Sequence, residues 1–254
     1  MESATTTAPL VLEVNAGLCN RLRALVAGLC WAQKLGRNLV VHWPSFKPEC
    51  AADFYSLFSK ESLPEWVTVK DSSLLRPITC LSSQDAVRIF MGRRADEPIY
   101  IISHGNFWGG EFAIWLKFLR QIKPSRAVEE ILDTWSWALE STDIAVHIRR
   151  TDNVHAIRLS PFPLFQEKLR NFPQNQNFLV VSDDVEAIRE LEREFGGRIL
   201  APEGIRTRRT LQGMLEATAV FFALTKMKII LGSAYSSFSE MARDYGGCSL
   251  VIVS

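Results

Sequence analysis

The fold class that this sequence predicts is α/β, in two lobes each built on a parallel sheet, and three observations predict it. Short apolar runs alternate with stretches of helical periodicity along most of the chain. The rhythm changes after Thr142, dividing the pattern into halves at 9–141 and 142–254. Turn-forming residues gather where the apolar runs end, at 16–21, 149–153, 182–184 and 232–239. Parallel strands bring such loops to one edge of a sheet, and the loops of two facing lobes would line a cleft.

The bulk numbers narrow the class of protein. A chain of 254 residues makes one large domain or two small ones with a sizeable core. Apolar content of 47% and charged content of 22% are those of a folded chain, not a disordered one. A formal net charge of +1, with basic residues scattered rather than striped, argues against a nucleic-acid partner. No apolar run approaches the roughly eighteen residues of a membrane span. The opening MESATTTAP carries an acid where a signal peptide carries basic residues, and reads as a short flexible tail. The five cysteines (Cys19, Cys30, Cys50, Cys80, Cys248) are odd in number and lack a CxxC pair. Neither a zinc site nor a disulfide framework is indicated, so a reducing, cytoplasmic setting is expected.

Along the first half, residues 10–14 form an apolar strand that NAGLCNR (15–21) interrupts. Leu22, Leu25, Val26, Leu29 and Ala32 then share one helical stripe, which Gly36 and Asn38 close before a strand at 39–43. The strand-to-helix loop offers backbone N–H groups to an anion, with Asn20 adding a side-chain donor. The same residues serve equally as turn and cap. Residues 44–98 are irregular, with a short amphipathic helix at 50–58, a strand at 66–69 and an ambiguous stretch at 85–90. A strand at 99–103 enters HGNFWGG, whose Phe107 and Trp108 suit sugar or base contact but better suit a plug in the core. Helices at 111–119 and 126–139 complete the half.

The second half begins with a strand at 143–148, and Pro161 and Pro163 open a helix to Arg170. A strand at 177–182 stops at Asp183 and Asp184, and a helix follows at 187–195. A short strand at 198–200, a long apolar helix at 211–224 and a strand at 228–231 come next. The GSAYSSFS loop (232–239) then starts a helix to Tyr245, and 250–253 is a last strand.

The run IAVHIRRTDN (144–153) organises the chemistry. Its period of two puts His147 and Arg149 on one face at the strand's exit, with Arg150 turned away and available to pair with Asp152. Fixed cations at the carboxyl end of a parallel strand are placed to bind an anion, and a serine-rich helix start opposite them completes a phosphate site. The ordinary alternatives are a strand-end ion pair, an N-cap at Asp183 or Asp184, and caps at Ser236 or Ser237.

VHIRRTD, with NAGLCNRLRALVAGLCWAQKLGRNLVVHW upstream and SDD and GSAYSSFSEMA downstream, resembles the GDP-fucose-dependent fucosyltransferases. The nearest groups in pattern are the nodulation-type α1,6-fucosyltransferases and the protein O-fucosyltransferases. The resemblance implies a GT-B fold: two Rossmann-like lobes facing across a cleft, with the nucleotide sugar on 142–254 and the acceptor on 9–141. It implies inverting, metal-independent transfer of fucose from GDP-fucose to a glycan or other hydroxyl, with no cofactor. Residue by residue, Arg149 would bind the pyrophosphate and His147 would sit against the nucleotide. Asn20 would reach the donor from the first lobe, Asp183 and Asp184 would shape its pocket, and Ser236, Ser237 and Phe238 would contact its phosphate side. The sequence departs from the pattern just past the arginines. Where α1,6 members carry a glutamate, the loop 153–158 (NVHAIR) holds no carboxylate, and His155 is its one candidate base. Glu13, Glu111 and Asp152 are further candidates, and Glu216 lies near a position where relatives carry an aspartate. Two alternatives stay open: the same fold using another GDP-sugar, and a non-catalytic nucleotide-sugar or glycan-binding protein.

Overall fold

The structure, a computed structural model, describes residues 7–204 and 207–254. The first six residues of the opening tail lie outside them. By compactness the chain divides into two units, one ending at Ser125 and one beginning at Arg126. Each is α/β and carries a five-stranded sheet whose paired strands are all parallel.

In the first unit, β1 (Leu10–Val14), β2 (Leu39–His42), β3 (Val67–Lys70), β4 (Ile78–Thr79) and β5 (Ile99–Ser103) stand in the order β3-β2-β1-β5-β4. β1 is central and all five of its residues are buried. α1 (Leu18–Leu35) lies close on this sheet because Gly28 has no side chain: a Cβ there would come within 2.6 Å of Leu12 Cδ2. Gly36, left-handed at φ 61°, ends the helix by returning its N–H to the Ala32 and Gln33 carbonyls. α2 is shorter than expected (Phe54–Leu57), capped by Asp53. The ambiguous stretch is a helix, α3 (Ser83–Phe90), fixed at its start by a capping box between Ser82 and Asp85. α4 (Phe112–Gln121) follows the aromatic loop. There Phe107 is fully buried, the expected plug, and Trp108 sits edge-on to Trp31 at 5.5 Å.

The helix expected over 126–139 is broken at Trp135 into α5 (Arg126–Thr134) and α6 (Ser136–Leu139). Then come β6 (Ile144–Ile148), α7 (Val154–Leu159), α8 (Phe162–Arg170), β7 (Phe178–Ser182), α9 (Val185–Phe195) and β8 (Ile199–Leu200). α10 (Leu211–Thr225), β9 (Ile229–Gly232), α11 (Ser237–Gly246) and β10 (Ser249–Ile252) complete the second unit. α5 packs on α10 through a face that buries Val128 and Leu132, which groups it with this unit. Ile144, Val146 and Ile148 of β6 enter one core with Phe165, Leu169, Phe178 and Leu191. The strand order is β10-β9-β6-β7-β8. From β6 the chain runs to β7 and β8 on one side, then returns to β9 and β10 on the other. The loops after β6 and β9 therefore diverge at a topological switch point, where open parallel sheets bind ligands. No helix among the described residues is long and apolar enough to cross a membrane.

Candidate functional site

The site in the second unit starts from the pairing of His147 with Gly232 across β6 and β9. A Cβ on Gly232 would approach Ser239 Oγ to 2.9 Å, so glycine leaves the space through which Ser239 reaches β6. Ser239 Oγ is 2.7 Å from His147 Nδ1, and the Phe238 ring stacks on the imidazole at 5.2 Å. Burial pushes the pKa of His147 down to about 4; the Arg149 charge adds to this and Asp183 opposes it. The imidazole is neutral at physiological pH.

Beyond Ile148 the chain leaves the sheet, and the Arg149 N–H donates to Ser233 Oγ at 2.9 Å. The Arg149 guanidinium meets two carboxylates, Asp183 at 2.8 Å and Asp152. The pair expected between Arg150 and Asp152 does not form. Asp152 bends back onto Arg149 and takes Arg208 with its other oxygen. Arg150 instead lies over the Phe162 ring at 4.9 Å and pairs with Asp184 at 3.3 Å. The two adjacent aspartates have separate duties. Asp183 accepts from the Arg150 N–H (2.8 Å), the Thr151 N–H (3.3 Å) and the Thr151 hydroxyl (2.6 Å). Asp184 caps α9, accepting from the Glu186 N–H at 3.0 Å.

The loop after β9 is fastened from both sides. Ala234 N–H donates to Ser160 Oγ at 2.8 Å. Tyr235, left-handed at φ 52°, has its carbonyl held by Asn153 Nδ2 at 3.0 Å, while Asn153 Oδ1 caps α7. Ser236 occupies the N-cap position of α11, but its hydroxyl makes no capping bond. The first N–H groups of α11 and the hydroxyls of Ser236 and Ser237 thus form a donor-rich helix start beside β6. Phe238 is half-buried against His147. The segment expected as the loop 153–158 is largely helical, as α7, and exposed His155 rides on it with its ring edge-on to Tyr235 at 6.2 Å.

Asn20 belongs to the first unit, half-buried in the first turn of α1 after β1. Its loop is organised by the fully buried Arg21, which sequence reasoning had not singled out. Arg21 donates to the carbonyls of Ala16 (2.8 Å) and Pro44 (3.0 Å) and lies 5.3 Å from the centre of the Trp43 ring. Ala16 itself is left-handed at φ 64°. Glu13 is a poor base, because its buried carboxylate is engaged by Lys47 at 2.7 Å and the Leu74 N–H at 2.6 Å. Glu111 is exposed at the start of α4, and Glu216 accepts from Gln212 at 2.9 Å. No group of three or more His, Cys, Asp or Glu suited to a metal occurs among the described residues. Ser233 and Ser239 were visible within the serine-rich loop, whereas nothing local marked Arg208.

The paired α/β units are the fold of the GDP-fucose-dependent fucosyltransferases, as the motif resemblance implied. The NodZ α1,6-fucosyltransferase co-crystallized with GDP is similar over 94% of this chain and 92% of its own, at 17% identity and a TM-score of 0.66. POFUT1 in complex with GDP matches 99% of this chain and 100% of its own, at 13% identity and a TM-score of 0.63. A mutant of Arabidopsis thaliana FUT1 in complex with GDP matches 96% of this chain and 70% of its own, at 14% identity and a TM-score of 0.63. No protein-family model and no curated protein matches the sequence.

Proposed function

We propose that the protein is a glycosyltransferase that moves a sugar, in the first instance fucose, from a GDP-sugar to a hydroxyl acceptor. The observation that carries this is Arg149 at the switch point of the second sheet, its N–H bound by Ser233 of the serine-rich loop that leads into α11, in a fold shared with GDP-bound fucosyltransferases. The second unit takes the nucleotide sugar and the first takes the acceptor.

As the bond from the anomeric carbon to the β-phosphate oxygen breaks, negative charge grows on the phosphate. A guanidinium held by Asp183, on backbone that Ser233 fastens, stabilises that charge, so the mechanism needs no metal. Neutral His147 backs the half-buried Phe238 ring on the nucleoside side, and Ser236 and Ser237 add phosphate donors. Asp183 and Asp184 shape the pocket by holding the loop and the start of α9. The acceptor oxygen attacks from the opposite face, inverting the anomeric centre, and passes its proton to His155.

Thermal-shift measurements with GDP, UDP, GDP-fucose and GDP-mannose, with and without EDTA, test the donor assignment. Stabilisation by the GDP compounds that survives EDTA is expected. Stabilisation by UDP alone overturns the donor, and loss on chelation overturns the metal-free mechanism. Arg149→Ala should lower transfer by at least about 10²-fold with the fold intact. The absence of any carboxylate from α7 favours a second reading, a nucleotide-sugar-binding protein without transferase activity. Such a protein would hold the donor and release no GDP with any acceptor.

A further inference from the structure

The three carboxylates around β6 are not equivalent. Asp183 is tied to backbone N–H groups and Asp184 caps a helix. Asp152 touches guanidinium groups alone among the described residues, Arg149 with one oxygen and Arg208 with the other. Its side chain is also the most exposed of the three, at 51% against 16% for Asp183 and 29% for Asp184. Arg149, Arg150 and Arg208 balance Asp152, Asp183 and Asp184, so the cluster carries no net charge. A phosphate group entering it gains little attraction unless one carboxylate yields. Asp152 is the one that yields without unmaking a loop or a helix cap.

We infer that Asp152 is an exchangeable counter-ion, and that Arg208 is a second phosphate-binding residue. A diphosphate displaces Asp152 and is gripped between the guanidiniums of Arg149 and Arg208. This rests on the reading of Arg149 as a phosphate ligand. Asp152 gives one oxygen to each guanidinium, and a phosphate can offer two of its oxygens in the same bridging way, so the exchange keeps both arginines in place. Arg208 is carried on anchored backbone. A Cβ on Gly213 would lie 2.0 Å from the Thr207 carbonyl oxygen, so glycine lets that backbone rest on α10, and Thr210 caps the helix at 3.1 Å. Burial works against the charge on Asp152, but Arg149 and Arg208 together hold its carboxyl below the ordinary range. It therefore remains an anion, displaced by another anion rather than by protonation.

The test is calorimetric titration of the wild type, Arg208→Ala, Arg208→Lys and Asp152→Asn with inorganic pyrophosphate, GDP and guanosine. Arg208→Ala should weaken pyrophosphate and GDP by about tenfold or more, with guanosine unchanged, and Arg208→Lys should recover part of the loss. Asp152→Asn should tighten pyrophosphate and GDP. Both side chains are more than a third exposed, so these variants are expected to fold, and their melting temperatures check it. Pyrophosphate binding that ignores Arg208, or that weakens in Asp152→Asn, overturns the inference while tight GDP binding leaves the donor reading standing. Arg208-dependent pyrophosphate binding, with GDP no tighter than pyrophosphate, sinks the donor reading and keeps the clamp. A wild type that binds neither overturns both.

Discussion

Replacing Asp183 by asparagine isolates the fastening of the arginine loop. Its Oδ2 receives the Thr151 N–H, the Thr151 hydroxyl and Arg149 Nη1, while Oδ1 receives the Arg150 N–H. An amide has one oxygen, and every group around it is a donor. The better orientation keeps oxygen at the three-donor position and turns the NH₂ against the Arg150 N–H. One charge-assisted bond is lost, and the other three become bonds to a neutral acceptor of about half the strength. Bonds to charged groups contribute about 1.5–3 kcal/mol each, so loop closure should weaken by about 3 kcal/mol after allowance for partial exposure and coupling. At about 1.4 kcal/mol per tenfold, the Arg150 and Thr151 amides should exchange with deuterium about 10²-fold faster. The amides of the β7 core should hardly change. Exchange at Arg150 and Thr151 within about threefold of the wild type would refute Asp183 as the loop's anchor.

Other consequences are as direct. His147 titrates near 4 when folded against an ordinary 6.5, so the unfolded chain takes up its proton first as pH falls. Stability is full above about pH 6.5 and should decline by about 3 kcal/mol towards pH 4; a His147→Gln variant whose urea midpoints fall just as steeply would contradict this. Asn153→Ala removes the α7 cap and the hold on left-handed Tyr235, at about 1–2 kcal/mol. Asn153→Asp keeps the cap alone and should recover about half of that in thermal denaturation. Gly213→Ala drives a methyl into the Thr207 carbonyl and should cost about 1–3 kcal/mol, a reading that an unchanged melting temperature would exclude.

The central strands were legible because their apolar runs are bounded by residues that cannot extend them. Arg149 follows Ile148, Asp183 follows Ser182, and the asparagine and glycine loop follows Val14. Helix breaks were less visible. The stripe of Val128 and Leu132 gives no sign that Trp135 interrupts the helix, nor that α5 packs on α10 instead of continuing the first half. α3 was recoverable from the Ser82-to-Asp85 spacing, a capping box that stands ahead of an apolar stripe only eight residues long. The order of the first sheet, with β5 beside β1 and β4 at the edge, has no local signature. Within the site, strand alternation singled out His147 and Arg149, but their partners are tertiary. Ser239 lies 92 residues from His147, and Arg208 lies 56 from Asp152. The exchange of expected partners between Arg149 and Arg150 arises past the last paired residue, where alternation no longer governs direction.

The loops at β6 and β9 are held largely by side chains that grip backbone. Ser233 holds the Arg149 amide, Asp183 the Arg150 amide, Ser160 the Ala234 amide and Asn153 the Tyr235 carbonyl. Every residue type except proline presents that amide, and every type presents the carbonyl. Substitution is therefore tolerated asymmetrically: Ala234 can become any residue but proline, and Tyr235 any residue that accepts its left-handed φ, as far as anchoring goes, while their distant partners Ser160 and Asn153 cannot be exchanged. A library that randomises the loops but spares Ser160, Asn153, Asp183 and Ser233 would change the surface offered to a ligand while leaving the loop path in place.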